Sequence, residues 1–112
     1  LILYEYPASQ AALSTLKEND SRVCERFELY LRGYEVANCF NELVDPKIQK
    51  KRYHELQREK QRLYGYHLEE PEVLYRALER GIPSPSAGIA LGVERLLMSL
   101  TGIENPFWDI TP

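Results

Sequence analysis

The sequence predicts an α+β fold in which an antiparallel β-sheet is flanked by helices. Two β-prone runs, residues 24–32 and 34–43, meet at the tight-turn dipeptide Arg32-Gly33 and indicate a hairpin. A helix start at Asp45-Pro46 and a helix stop at Gly65 bound a long helix after that hairpin. Near the end of the chain, an apolar run passes directly into a further helix.

The N-terminal segment is predicted to form a short strand and then a helix. Residues 1–6 are the strand, which Pro7 stops. Ser9 is a suitable N-cap for a helix that runs to about Lys17. The hairpin follows this helix.

Two helices and a loop are predicted after the hairpin. Asp45 is an acidic N-cap and Pro46 occupies the first helical position, so the first helix spans 46–64. The second helix begins at Glu70-Pro71 and ends at Gly81. Residues 82–86 form a loop rich in proline and serine.

The last strand and the last helix meet at a junction with an unusual charge. Arg95 falls in the first turn of the helix, where the free N–H groups already create partial positive charge. Two positive charges at one place repel each other. An anion between the arginine and the helix end would remove this repulsion, and phosphate is the usual such anion. Gly88 and Gly92 would allow backbone and ligand to approach closely. The alternative is an ordinary strand–helix junction with a solvated arginine.

The hairpin brings two acids together. A two-residue turn pairs Tyr30 with Glu35 and Glu28 with Ala37, so Glu28 and Glu35 lie diagonally on one face. Two such acids repel each other unless a cation lies between them. Magnesium bound to nucleotide phosphates is the natural candidate, because it favours a few carboxylates plus substrate oxygens. The alternative is a pair of solvated acids on an exposed face.

Two blocks of sequence resemble known enzymes. Residues 88–97, GIALGVERLL, resemble motif 3 of the class II aminoacyl-tRNA synthetases, and residues 27–43, FELYLRGYEVANCFNEL, resemble the segment upstream of it in lysyl-tRNA synthetases. Residues 6–13, YPASQAAL, and Ala90, where those enzymes usually carry glycine, favour the short paralogues that attach a lysine-type amino acid to elongation factor P. Arg26-Phe27-Glu28 mimics motif 2 only superficially, so Arg26 is assigned no role.

The resemblance implies part of a class II synthetase catalytic core that uses ATP and magnesium. Arg95 would be the catalytic residue that grips the ATP phosphates, with Gly92 beside it. Glu28 and Glu35 would bind the ATP-associated magnesium. Glu94 stands where the family normally has aspartate, which keeps the charge and changes its reach.

The resemblance also implies an amino-acid pocket. Glu42 would face the ε-ammonium of a lysine substrate, Asn38 would hydrogen-bond it, and Phe40 would pack on its aliphatic stem. Ala90 would form the floor of the pocket, and Gly88 would be a further substrate-binding residue. Strict alternation sends Asn38, Phe40 and Glu42 to the face opposite Glu35, so a β-bulge is predicted between Val36 and Asn38.

The expected reaction is formation of lysyl-adenylate from ATP and lysine or a lysine isomer, followed by transfer to elongation factor P. Charging of tRNA is the first alternative, and a non-catalytic binding module is the second. The chain is expected to be the C-terminal part of a catalytic domain without motifs 1 and 2, and incomplete as an enzyme by itself. The intact protein is expected to be a homodimer.

Composition adds limits on location and partners. No apolar run reaches membrane-spanning length and the N-terminus lacks a signal-peptide pattern, so we expect a cytoplasmic protein that does not enter a membrane. Cys24 and Cys39 have no metal-ligand spacing. The helix over 46–64 carries a net charge of +5 in a chain of net charge −3. A solvated helix face and a docking surface for an acidic protein or tRNA phosphates are both consistent with this.

Overall fold

A computed structural model describes residues 1–107, and Trp108, predicted to be a core residue, lies outside the described part. The described chain divides into two compact units, one comprising Leu1–Asn41 and the described residues that begin at Ala87, the other Glu42–Ser86. Antiparallel strands and helices make up the fold, as predicted. The elements in chain order are β1 (Ile2–Tyr4), a 3₁₀ turn (Ala8–Gln10), β2 (Leu16–Lys17), β3 (Asp20–Cys24), β4 (Arg26–Leu31), β5 (Tyr34–Asn41), α1 (Pro46–Tyr64), α2 (Glu72–Arg80), β6 (Ala87–Leu91) and α3 (Val93–Thr101).

The first unit is built on a four-stranded antiparallel sheet with the strand order β1-β4-β5-β6. The β4–β5 hairpin closes at Arg32 and Gly33, whose φ angles are 48° and 83°. Two central residues with positive φ are the signature of a type I′ turn, whose twist matches that of the flanking strands. The predicted hairpin is therefore confirmed.

A β-bulge interrupts the hairpin at Val36. Tyr30 pairs with Glu35, but the next residue of β4, Leu29, pairs with Ala37, so Val36 is the extra residue. The bulge predicted in this segment is confirmed. Because it shifts the register, Glu28 lies opposite Asn38, and the predicted pairing of Glu28 with Ala37 is wrong.

The segment before the hairpin differs from the prediction. The helix predicted over 9–17 is wrong, because only the 3₁₀ turn Ala8–Gln10 forms and β2 pairs with β3 instead. Long-range backbone hydrogen bonds hold this segment in an extended conformation. The Thr15 N–H donates to the Asn41 carbonyl at 2.9 Å, and the Thr15 carbonyl accepts from the Glu25 N–H at 2.9 Å. The strand predicted over 24–32 is also divided, because β3 ends one residue before Glu25 and β4 begins one residue after it.

The second unit contains two helices whose boundaries agree with the prediction. The Asp45 carboxylate accepts hydrogen bonds from the N–H groups of Lys47 at 2.8 Å and Ile48 at 3.1 Å, which caps α1. Gly65 ends α1 with φ 73°. Within this unit the Gln57 side chain donates to the Leu68 carbonyl at 2.7 Å and accepts from its N–H at 3.2 Å, which ties α1 to the segment before α2.

The predicted junction of strand and helix is confirmed at β6 and α3. Gly92 is the N-cap residue of α3, and its N–H donates to the carbonyl of the bulged Val36 at 2.9 Å. The Ser99 hydroxyl donates to the Leu31 carbonyl at 3.2 Å, so α3 is attached to the hairpin at both ends. In the part of the chain that the structure describes, no helix is long and apolar enough to cross a membrane.

Candidate active site

One face of the four-stranded sheet collects six of the eight predicted site residues of the first unit, and the other two, Gly92 and Arg95, lie at the start of α3. Cross-strand partners share a face, and Glu28 pairs with Asn38, which in turn pairs with Ala90. The bulge returns Glu35 to the same face, opposite Tyr30. We call this the polar face, and its members on the three longer strands are Arg26, Glu28, Tyr30, Glu35, Asn38, Phe40, Gly88 and Ala90.

An open cleft of about 430 Å³ lies between β5, the end of β6 and the first turn of α3. Arg95 is largely exposed there and reaches from α3 to β5, where its Nη1 donates to the Glu35 carbonyl at 3.2 Å and lies 3.9 Å from the Glu35 carboxylate. A Cβ placed on Gly92 would make only ordinary contact with Arg95, at 3.7 Å. The sequence predicts that Gly92 lets a ligand approach the backbone closely, and this role stays a prediction. The cleft is lined by Glu35, Val36, Ala37, Asn38, Ala90, Leu91, Gly92, Val93, Glu94 and Arg95.

Glu28 is buried within a network of donors. One carboxylate oxygen accepts from the hydroxyls of Tyr6 at 2.7 Å and Tyr30 at 2.6 Å, and the other pairs with the Arg26 guanidinium. Burial opposes ionisation, but these two phenols and the arginine together hold the pKa of Glu28 below its ordinary value. The same contact with Glu28 raises the pKa of the Tyr30 phenol. Glu28 is thus an ionised carboxylate that is already neutralised by Arg26.

Arg26 is the site residue that the sequence analysis missed. Its Nε donates to the Asn38 amide oxygen at 3.2 Å, its Nη1 to the Gln10 carbonyl at 2.7 Å, and its Nη2 to Glu28. Its guanidinium carbon lies 4.5 Å from the centre of the Tyr6 ring and 5.5 Å from that of Phe40. The pattern Arg-x-Glu places the two charges on one strand face and could have indicated an ion pair. The contacts with Asn38 and Gln10 have no signal in the sequence.

Glu42 begins the second unit and is described there alone. It is half-buried, and its backbone N–H donates to the Ser86 carbonyl at 2.8 Å. Its carboxylate forms no hydrogen bond or ion pair with the residues that the structure describes. A half-buried acid that has no partner among residues 1–107 is able to receive a ligand cation there.

The residues of the polar face fit a magnesium ion that arrives with a nucleotide better than a resident metal. Within residues 1–107, no group of three or more His, Cys, Asp or Glu side chains converges on one point. Magnesium on nucleotide phosphates needs only one or two carboxylates. Glu35 is half-exposed in the cleft, whereas the oxygens of Glu28 already accept three hydrogen bonds.

We expect Glu28→Gln to destabilise the protein without ligand, by about 2–3 kcal/mol at pH 7, because hydrogen bonds to a buried charge are lost. The effect should depend on pH. A carboxylate whose pKa is lower in the folded state stabilises that state above its unfolded pKa, near 4.5, and the contribution disappears as pH falls through the lower folded value. The free energy of unfolding of Glu28→Gln and of the unmodified protein should therefore differ at pH 7 and converge below pH 4.5.

Glu59→Gln is the matched control, because Glu59 is an exposed acid on α1. Its unfolding free energy should follow that of the unmodified protein across the whole pH range. A Glu28→Gln variant that is as stable as the unmodified protein at pH 7 would contradict the network as a source of stability. It would favour the original expectation, in which two acids repel each other.

Comparisons with known proteins agree with this fold. The family model of the tRNA synthetases class II (D, K and N) matches residues 1–106. A protein of Histophilus somni (strain 2336) named elongation factor P–(R)-β-lysine ligase is 44% identical over 108 residues. Proteins with the same name from Proteus mirabilis (strain HI4320) and Avibacterium paragallinarum are 46% and 43% identical over 105 and 104 residues.

The fold, the motif at the start of α3 and the family match together define a class II synthetase-type domain. The chain belongs to the class II tRNA synthetase (D, K and N) family. The matches to the three relatives cover 92–94% of this chain but only 31–32% of each relative. The chain therefore spans about a third of the length of the curated relatives it matches.

Proposed function

We propose that the protein containing this chain uses ATP to activate a lysine-type amino acid, (R)-β-lysine or its isomer α-lysine, and transfers it to a lysine of elongation factor P. The observation that carries this proposal is the polar face, where Glu28, Glu35, Asn38 and Ala90 share one surface and Arg95 closes the cleft. The relatives with this site segment are named as ligases of that kind.

The proposed reaction has two steps. In the first, a carboxylate oxygen of the amino acid attacks the α-phosphorus of ATP, and the bond between that phosphorus and the bridging oxygen of the β-phosphate breaks to release pyrophosphate. In the second, the acceptor amine attacks the carbonyl carbon of the adenylate, loses a proton and displaces AMP. Such catalysis depends on positioning and charge neutralisation more than on a general base.

The residues of this chain would contribute to positioning and charge neutralisation according to their own charges. Arg95 would neutralise phosphate oxygens beside Gly92 at the helix start, in place of its contact with Glu35. Glu35 and Glu28 would hold the magnesium ion that accompanies the nucleotide and neutralises part of its charge, with Glu35 the more accessible carboxylate. Glu42 would receive the side-chain ammonium, Phe40 would pack on the stem, and Ala90 would form the floor, with Gly88 a further substrate-binding residue.

The experiment that tests the proposal uses the intact protein. Pyrophosphate exchange with ATP should depend on (R)-β-lysine or lysine, and incubation with elongation factor P should add the mass of one such residue to it. Transfer to tRNA, with no mass added to elongation factor P, would establish the tRNA-charging alternative. An intact protein that neither binds ATP nor supports exchange would be a binding module.

Ala90→Gly should shift the substrate preference toward α-lysine. Ala90 is exposed beside Asn38 on the polar face, so its methyl group narrows the proposed pocket. A methyl-sized change is worth about 1–3 kcal/mol. We therefore expect a bias of about tenfold in the ratio of kcat/KM values for the two isomers, measured by pyrophosphate exchange.

Ala87→Gly provides the matched control, because Ala87 is on the same strand but on the opposite face of the sheet. This variant should keep the preference of the unmodified protein. An equal shift in both variants, or no shift in Ala90→Gly, would mean that Ala90 does not line the amino-acid pocket.

A further inference from the structure

The Asn38 amide has a defined orientation, because its neighbour can only donate. A guanidinium has five N–H donors and no acceptor. The Asn38 atom that lies 3.2 Å from Nε of Arg26 must therefore be the amide oxygen. The amide nitrogen has no hydrogen-bond partner among the residues that the structure describes, although Asn38 lines the cleft.

We propose that Arg26 is a positioning residue that holds the Asn38 amide so that its nitrogen serves as a hydrogen-bond donor to an anionic oxygen of the ligand. This inference rests on the proposed function, which supplies two sources of such an oxygen: the amino-acid carboxylate and the ATP phosphates. It differs from the role that the family resemblance suggested for Asn38. A substrate ammonium can only donate, so it would have to share the amide oxygen with Arg26, and the two N–H donors of the amide would still need an acceptor.

Arg26 is itself held firmly enough to act as a positioning residue. Its remaining contacts fix the guanidinium plane in two ways. The Glu28 carboxylate and the Gln10 carbonyl fix it at the edge, and the rings of Tyr6 and Phe40 lie 4.5 and 5.5 Å from its carbon. Its side chain is 15% exposed, and that of its partner Glu28 is 7% exposed. Rotation of the Asn38 amide would break its hydrogen bond to Arg26, because the other contacts of Arg26 hold the guanidinium in place.

Asn38→Asp distinguishes the two roles because they predict opposite signs. An aspartate keeps the acceptor toward Arg26 but removes the amide donor and adds a negative charge. If Asn38 donates to an anionic oxygen, Asn38→Asp should lower kcat/KM for adenylate formation by about 100-fold. If it accepts from an ammonium, kcat/KM should be unchanged or higher, and the proposal is overturned.

The two sources of the anionic oxygen are separated by measuring KM for the amino acid and for ATP in the same variant. A rise confined to the amino acid assigns the carboxylate, and a rise confined to ATP assigns the phosphates. Cadaverine, which has both amines of lysine and no carboxylate, serves as a binding probe. Its affinity should be unchanged in Asn38→Ala if the carboxylate is the ligand.

Arg26→Lys tests the positioning role, because lysine can still pair with Glu28 but cannot hold Asn38 and Gln10 at the same time. We expect kcat/KM to fall roughly tenfold, and the double variant Arg26→Lys/Asn38→Ala to be no worse than Asn38→Ala alone. Multiplicative losses in the double variant would overturn the proposal. Thermal unfolding of each variant identifies any general loss of structure, and Asn38→Asp decides the donor role if Arg26→Lys does not fold.

The positioning of Asn38 can also be read without activity. In ¹⁵N-labelled intact protein, the side-chain amide of Asn38 should show a rigid signal that becomes mobile in Arg26→Lys. If the unmodified protein supports no exchange with any amino acid, the proposed function fails and this measurement alone decides the role of Arg26. A side-chain amide of Asn38 that is equally mobile in both proteins would overturn the positioning role of Arg26.

Discussion

Replacing Arg95 by alanine in the intact protein is expected to reduce adenylate formation by about 100-fold to 1,000-fold without unfolding the domain. Loss of one group that stabilises developing charge has an effect of this size. The fold should remain intact because Arg95 is exposed and the polar contacts of its side chain within the described residues are with Glu35 alone. Pyrophosphate exchange measures the first effect, and the thermal unfolding midpoint measures the second.

Arg80→Ala is the control for this variant, since Arg80 is also an exposed arginine of a short helix but lies outside the cleft. Its exchange rate should equal that of the unmodified protein. Exchange by Arg95→Ala within a few-fold of the unmodified rate would remove Arg95 from the phosphate site. The cation in the first turn of α3 would then be a structural partner of Glu35.

Replacing Glu42 by glutamine should affect the choice of amino acid more than the use of ATP. The Glu42 carboxylate is half-buried and unpaired within the described residues, so a ligand ammonium would be its first charge partner. Loss of such a partner commonly costs several kcal/mol, and we expect kcat/KM for lysine to fall by about 100-fold or more. The KM for ATP should change by less than about threefold.

Glu79→Gln removes an acid of the same type from an exposed position on α2 and should leave both parameters unchanged. A parallel loss for lysine and for an uncharged analogue such as norleucine, which lacks the ε-ammonium, in Glu42→Gln would mean that Glu42 acts through structure. An unchanged preference for lysine would exclude Glu42 as the partner of the ammonium.

The parts of the fold that the sequence predicted are those set by local chemistry. Asp45, Pro46 and Gly65 define α1 without reference to any other element. Arg32-Gly33 defines the hairpin in the same way, because the turn geometry depends on only two residues. The junction of β6 and α3 was equally clear from its change of hydrophobic period.

The predictions that failed depend on contacts between distant segments. Residues 9–17 contain adequate helix formers, but the pairing of β2 with β3 and the bonds of Thr15 to Glu25 and Asn41 favour an extended chain. Such bonds leave no periodic pattern in a short segment. Local propensity is a weak guide where tertiary hydrogen bonds are available.

In the candidate site, too, features set by local sequence were predicted and contacts between distant segments were not. Alternation along two strands was enough to place Glu28 and Glu35 on one face and to require a bulge. The partners of Glu28 were not predicted: Arg26 and Tyr30 flank it at two-residue spacing, and Tyr6 reaches it from a separate segment. Only the first two of these partners could have been read from the sequence. The roles of Arg95, Glu42, Ala90 and Gly92 stay predictions.

The bulge at Val36 links the register of the hairpin to the start of α3. Its carbonyl accepts the N–H of Gly92, so the residue that shifts the register also fixes the start of α3. Deleting one residue from the segment 36–37 would remove the bulge and leave Asn38 and Phe40 on the face of Glu35, because the remaining residues would then alternate regularly. The same deletion would remove the carbonyl that accepts the Gly92 N–H. It should therefore disturb the start of α3, and with it the position of Arg95, more than the faces of the hairpin.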